Sequence, residues 1–200
     1  FPTPAELRQR YEKALGISLE WKTAAPLLHR YPGGEATRRY YQDAAIRAVL
    51  EKIARGEKRA LLALATGSGK TFIAVNLLKR IADAGQLRRA LFVCDRDELR
   101  AQGLAAFQNV FGSDAAPVSS DNAQKNARIL VATYQTLGVD TDQDGASVLI
   151  ENYPPEYFSH IVTDECHRPS WGKWSEVLKR NISAVQVCLT ATPRLVPSTL

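Results

Sequence analysis

The stretch Ala65-Thr66-Gly67-Ser68-Gly69-Lys70-Thr71 decides the fold. A short apolar run at residues 60–65 precedes it, and an apolar-periodic segment at 70–84, closed by Gly85, follows it. The order is therefore buried strand, glycine-rich turn, helix. Gly67 and Gly69 let the backbone bend so that successive N–H groups face one anion. The start of the helix adds about half a positive charge. In such a turn Thr66, Gly67, Ser68 and Gly69 cradle phosphates and Lys70 reaches the β- and γ-phosphates. The Thr71 hydroxyl is placed to bind Mg²⁺. The strict form of the pattern has glycine where this chain has Leu64, so only the shorter G-x-G-K-T core is present.

Outward from the loop, apolar runs alternate with helical patterns. Strands are predicted at 60–65, 90–94, 129–132, 160–163 and 184–189, and helices at 4–15, 41–55, 70–84, 97–111 and 174–180. Residues 138–155 are rich in Asp and Gly and predict a loop. Apolar strands alternating with helices imply right-handed crossovers and a parallel sheet covered on both faces, an α/β fold. Ligands on such sheets sit beyond the carboxyl ends of the strands, where the motifs of this chain fall. Residues 1–35 read as a helix followed by an irregular linker arm with a Gly33-Gly34 pair. Residues 36–200 read as one α/β domain.

Asp164-Glu165-Cys166-His167-Arg168 follows the fourth predicted strand. A carboxylate at a strand end facing a phosphate loop is the usual second anchor for Mg²⁺, which makes Asp164 the candidate. Glu165 is the candidate general base for an attacking water. An exposed charged turn is the alternative for this pair, and the phosphate loop upstream argues against it.

The 200 residues suffice for one domain with a proper core, and 45% apolar with 24% charged residues exclude disorder as the default. No apolar run approaches the roughly 20 residues of a membrane helix, and no charged-then-apolar leader opens the chain. The net charge of +5 fits a polyanionic partner without demanding one. Three cysteines, Cys94, Cys166 and Cys188, are too few and too widely spaced for a disulfide framework or zinc site. Cys94 and Cys188 lie in apolar runs and are expected to be reduced core residues, which points to the cytoplasm. The chain contains no methionine and opens Phe1-Pro2-Thr3-Pro4, which leads us to expect a piece of a longer polypeptide.

As a set, these residues resemble the superfamily 2 helicases and translocases. The 66–71 loop is similar to motif I, and Asp-Glu-Cys-His at 164–167 to motif II. Leu189-Thr190-Ala191-Thr192-Pro193 is similar to motif III. Phe92-Val93-Cys94-Asp95-Arg96-Asp97-Glu98-Leu99 resembles motif Ia, and Thr133-Tyr134-Gln135-Thr136-Leu137 contains a match to motif Ib. Arg39-Tyr40-Tyr41-Gln42 resembles the Q motif. The resemblance covers residue 36 onward. Within the superfamily, R-Y-Y-Q-x-x-A-I at 39–46, D-R-D-E-L at 95–99 and T-Y-Q-T-L at 133–137 are most similar to the motor subunit of type I restriction enzymes.

The resemblance implies a RecA-like domain that binds ATP and Mg²⁺ and, with a second motor domain, drives movement along double-stranded DNA. Gln42 is then expected on adenine with Tyr40 or Tyr41 stacked beside it; a polar residue at a helix start is the alternative. His167, Thr190 and Thr192 would couple hydrolysis to movement. Arg96, Thr133 and Gln135 would contact the DNA backbone, contacts that position a protein without reading sequence. For Arg96 an ordinary charge at a helix start is the alternative. Trp171 and Trp174 fit either base stacking or packing. The implied partners are a second motor domain and a nuclease domain of the same chain, with separate specificity and modification subunits. An arginine finger from the second domain is worth about 10³–10⁵ in rate, so this stretch alone is expected to bind nucleotide and turn it over slowly. DNA binding by it alone should be weak and steeply salt-dependent. Another superfamily 2 helicase, and a nucleotide-dependent switch without turnover, are the alternative readings.

Overall fold

A computed structural model describes residues 1–29, 39–119, 124–137, 151–164 and 178–191. Among them, α1 spans Pro4–Leu15, α2 Ala25–Leu28, α3 Tyr40–Ala54, α4 Lys70–Asp83 and α5 Asp97–Phe111. The strands are β1 Arg59–Ala63, β2 Ala90–Cys94, β3 Ala115–Pro117, β4 Ile129–Thr133, β5 His160–Asp164 and β6 Val185–Thr190. They form one six-stranded sheet in the order β1-β6-β5-β2-β4-β3. Every pairing is parallel. The expected α/β architecture with a parallel sheet is the one observed.

The sheet is covered because its central strands are apolar on both sides. In β2, Ala90, Phe92 and Cys94 face one core with Ile73, Leu77 and Leu78 of α4 and Phe107 of α5. Leu91 and Val93 face the other, with Tyr134, Tyr153 and Phe158. Strands β2, β4 and β5 are buried along their whole lengths. Unbroken apolar runs, rather than alternation, are the mark of such strands.

The observed order adds what periodicity could not. After β1 the chain crosses to β2, passes to β3 at the far edge and steps back to β4 between them. It then returns through β5 and β6 into the gap beside β1. The carboxyl ends of β1, β6 and β5 therefore lie side by side.

Four expectations need correction. The run at 60–65, expected as a buried strand, is the edge strand β1, and Leu61 is 55% exposed. The short strand β3 was not anticipated, because three residues carry no usable period. The arm before residue 30 is not a loose linker. Ile17 and Ala24 pack with Ala54 of α3, the Tyr11 hydroxyl donates to Glu51 at 2.7 Å, and Thr23 donates to the Ala54 carbonyl at 3.1 Å. Finally, Cys94 is free and buried as expected, but Cys188 is disulfide-bonded rather than reduced. Most of the predicted loop at 138–155 and helix at 174–180 lies outside the described residues. No helix among the described residues is long and apolar enough to cross a membrane.

Candidate active site

The phosphate loop joins β1 to α4. Gly67 and Gly69 take φ of +78° and +87°, the left-handed region that glycine alone occupies without strain. The Ser68 N–H donates to Ala65 O at 3.2 Å, and the Ile73 N–H donates to Gly69 O at 3.0 Å, which starts the helix. No side chain caps α4. Its first turn therefore presents the N–H groups of Thr71 and Phe72 without a side-chain acceptor, the state an anion site requires. The Ser68 hydroxyl is buried without a hydrogen-bond partner. Thr66 and Gly67 are exposed, and Lys70 and Thr71 are half-buried.

The loop is braced from outside by the start of α3. Ser68 O accepts from Gln42 Nε2 at 2.9 Å and from the Tyr41 hydroxyl at 3.1 Å. Tyr41 in turn accepts from Arg39 at 2.9 Å. A Cβ at Gly69 would overlap Gln42 Nε2 and push that amide aside, so a side chain there is strained by φ and would disturb the brace. Gln42, expected on adenine, is thus seated against the phosphate loop. Among the described residues its Oε1 and its second amide hydrogen make no hydrogen bond. Tyr40 is 86% exposed, and its ring meets Tyr41 edge-on at 5.9 Å. Sequence reasoning missed the brace, because Tyr41 was weighed as a ring and not as a hydroxyl.

Asp164 ends β5 and is 8% exposed. It is paired in register with Leu189 of β6, while Thr190 is paired with Ala63 of β1. Leu64 N–H donates to Thr190 O at 2.8 Å, carrying the ladder to the base of the phosphate loop. Asp164 and the loop are thus separated by a single strand, with β1 and β5 roughly 10 Å apart. Thr190, buried at the end of that strand, stands between them. On its other side Asp164 borders Cys94. Burial chiefly, and the Asp164 charge next, push that thiol up to about 12. Cys94 is therefore an inert thiol, donating to Ala132 O at 3.5 Å.

The residues expected on DNA divide. Arg96 follows β2 with an exposed side chain, 3.7 Å from Asp95. Gln135 is exposed in the turn after β4. Thr133 differs from these two in being buried. It is 2% exposed, and its hydroxyl lies 2.8 Å from the Thr136 hydroxyl and accepts from the Thr136 N–H at 3.1 Å. A hydroxyl so engaged shapes the turn that presents Gln135. Glu165, His167, Thr192, Trp171 and Trp174 lie outside the described residues.

Known proteins align with this arrangement. The family described as "Type III restriction enzyme, res subunit" matches residues 35–195. The EcoAI type I restriction enzyme endonuclease subunit of Escherichia coli is 34% identical over 198 residues, covering 97% of this chain and 24% of that protein. The EcoKI endonuclease subunit of Escherichia coli K12 is 33% identical over 183 residues, covering 78% of this chain and 15% of that protein. This chain thus spans a quarter or less of the length of these relatives. Among solved structures, the Pyrococcus furiosus Hef helicase domain superposes with TM-score 0.62 at 22% identity, covering 81% of this chain and 35% of that one. A nuclease-deletion mutant of the type ISP restriction-modification enzyme LlaGI, in complex with a DNA substrate mimic, gives 0.58 at 18% identity, covering 80% and 18%. These structural likenesses establish a RecA-like fold. With 161 of its 200 residues (35 through 195) inside the family match, the chain belongs to the restriction-enzyme res-subunit family of superfamily 2 helicase domains, and its relatives are type I restriction endonuclease subunits.

Proposed function

We propose that this chain is the ATP-binding motor domain of a type I restriction enzyme, in which Mg²⁺-ATP hydrolysis drives translocation along duplex DNA. The observation that carries the reading is the pairing of a braced, uncapped phosphate loop with a buried carboxylate one strand away. A glycine-rich turn with no ligand needs neither the carboxylate nor the brace.

Phosphate oxygens accept from the first-turn N–H groups of α4 and from Lys70, and the Ser68 hydroxyl gains an acceptor. Among the described residues no three His, Cys, Asp or Glu converge on a point. Magnesium commonly binds through one or two protein ligands plus substrate phosphates, and Thr71 and Asp164 fit that role. Bound magnesium supplies neutralisation of developing phosphate charge. Gln42 offers Oε1 and its second amide hydrogen to an adenine edge, and Tyr40 a ring face. Glu165 holds and deprotonates the attacking water. Thr190, His167 and Thr192 pass the state of the phosphates to the DNA-facing turns that carry Arg96 and Gln135. A second motor domain and a nuclease domain of the same polypeptide, with specificity and modification subunits, complete the assembly.

The test is Glu165→Gln in the intact polypeptide. DNA-stimulated ATPase should fall by orders of magnitude while nucleotide affinity holds. An unchanged rate would remove Glu165 as the base. Nucleotide binding with no turnover in the unaltered protein would favour a switch over a motor.

A further inference from the structure

The function proposed above uses the carboxyl ends of the strands. The opposite pole of the same sheet is built differently. Arg88 and Arg89 lead into β2, Lys125 and Arg128 lead into β4, and Arg180 lies ahead of β6. The strands are parallel, so all five cations lie at one end of the sheet, ahead of β6, β2 and β4, with β5 between β6 and β2.

These arginines are held mostly by neutral acceptors. Arg88 donates to the carbonyls of Glu156 and Tyr157. The Arg89 guanidinium lies 4.5 Å from the centre of the Tyr157 ring. Arg128 donates to Leu87 O at 2.8 Å, and Arg180 to Tyr153 O at 3.2 Å. A carbonyl or a ring fixes a guanidinium in place without cancelling its charge. The carboxylates Asp114 and Glu156 lie nearby and keep their charge, so the five cations remain in excess. Asp114 faces Arg128 at 3.7 Å, and Glu156 accepts the Ser183 N–H at 3.2 Å. Lys125 is exposed, and among the described residues its side chain has no hydrogen bond or ion pair; its backbone carbonyl accepts from the Tyr157 hydroxyl at 2.8 Å.

Cations pre-ordered by neutral partners keep their field, and little side-chain entropy remains to be lost on binding. Adjacent strands are roughly 4.8 Å apart, so the cluster presents several charges over a width that reaches more than one backbone phosphate. We propose that this amino-end pole is a second surface for duplex DNA, contacting phosphates outside the motor site. Arg88, Arg89, Arg128 and Arg180 form its fixed frame, and Lys125 its mobile contact. Binding there is sequence-independent and driven by counterion release.

Duplex DNA as the partner rests on the function proposed above, but the tests separate. In the intact polypeptide, Lys125→Glu removes no side-chain contact and so leaves the fold alone. A labelled duplex titrated without nucleotide, between about 50 and 200 mM salt, should bind several-fold more weakly, with a salt slope lower by about one. Nucleotide affinity should not change. Arg88→Lys, which keeps the charge, should bind more tightly than Arg88→Gln. Unchanged affinity and slope in Lys125→Glu would overturn the proposal. So would a surface that loses binding to polyglutamate while duplex binding stays intact, which would assign it to an acidic protein segment. A protein without ATPase whose duplex slope still responds to Lys125→Glu would overturn the motor and leave this surface standing.

Discussion

At the scale of single residues, the site depends on backbone conformations and contacts that few side chains permit. Gly69 is the clearest case, because its φ of +87° strains any other residue and a Cβ there would displace Gln42 Nε2. Gly69→Ala should cost more than about 1 kcal/mol of stability, the penalty for alanine at positive φ. Nucleotide affinity should fall further, because the Ser68 carbonyl would lose its brace. Equilibrium titration with a fluorescent ATP analogue, beside a thermal melt, separates the two effects. Tyr41→Phe probes the brace, since the ring stays and the hydroxyl that joins Arg39 to Ser68 O is lost. The hydroxyl's bond to Ser68 O is worth about 1 kcal/mol, so melting should fall by about 2–4 °C and ATP should bind up to roughly fivefold more weakly. An equal affinity would show that Gln42 holds the loop unaided. The positions of the glycines, Lys70 and Thr71 in a strand–turn–helix, and of Asp164 at a strand end, were legible in the sequence because they follow from a local pattern. The Tyr41 hydroxyl was not, because its partner lies 27 residues away.

At the scale of elements, α4 and α5 hold the sheet in the form that places the site. Phe107 of α5 is fully buried, with its ring centre 5.2 Å from that of Phe92 in β2 and 6.2 Å from that of Phe111. Phe107→Ala should destabilise the protein by about 3–5 kcal/mol, read as a lower denaturant midpoint. A loss well below that range would mean that α5 collapses into the gap. Helix limits were largely legible. Thr3, Pro4, Glu6 and Gly16 mark α1 by a complete capping box and a left-handed C-cap. Gly112 closes α5 with its N–H on Gln108 O. The docking of the arm was not legible. Its prolines and glycines suggested a linker, yet Ile17 and Ala24 find apolar partners in α3 that no local pattern reveals.

At the scale of the whole molecule, stability should depend on pH through His160 at the start of β5. Burial lowers its pKa from 6.5 to about 4. The unfolded chain therefore binds a proton between those values and the folded chain does not. Stability from this group is complete above pH 6.5 and is lost as pH falls toward 4, by on the order of 3 kcal/mol. Melting temperatures across that window should fall less in His160→Gln than in the unaltered protein. Parallel slopes would show that other groups dominate acid unfolding. The strand order belongs to the same scale. Unbroken apolar runs alternating with helices already specified a parallel, doubly covered sheet, because strands buried on both faces cannot alternate. Spacing around Gly67 and Gly69 specified the strand–turn–helix loop, because the backbone geometry of such a loop is set within a few residues. Only the tertiary structure placed β6 between β1 and β5, put Thr190 between loop and carboxylate, and left β1 at the edge. Strand order is settled by packing among segments far apart in the chain, and hydrophobic period carries no record of which strand lies beside which.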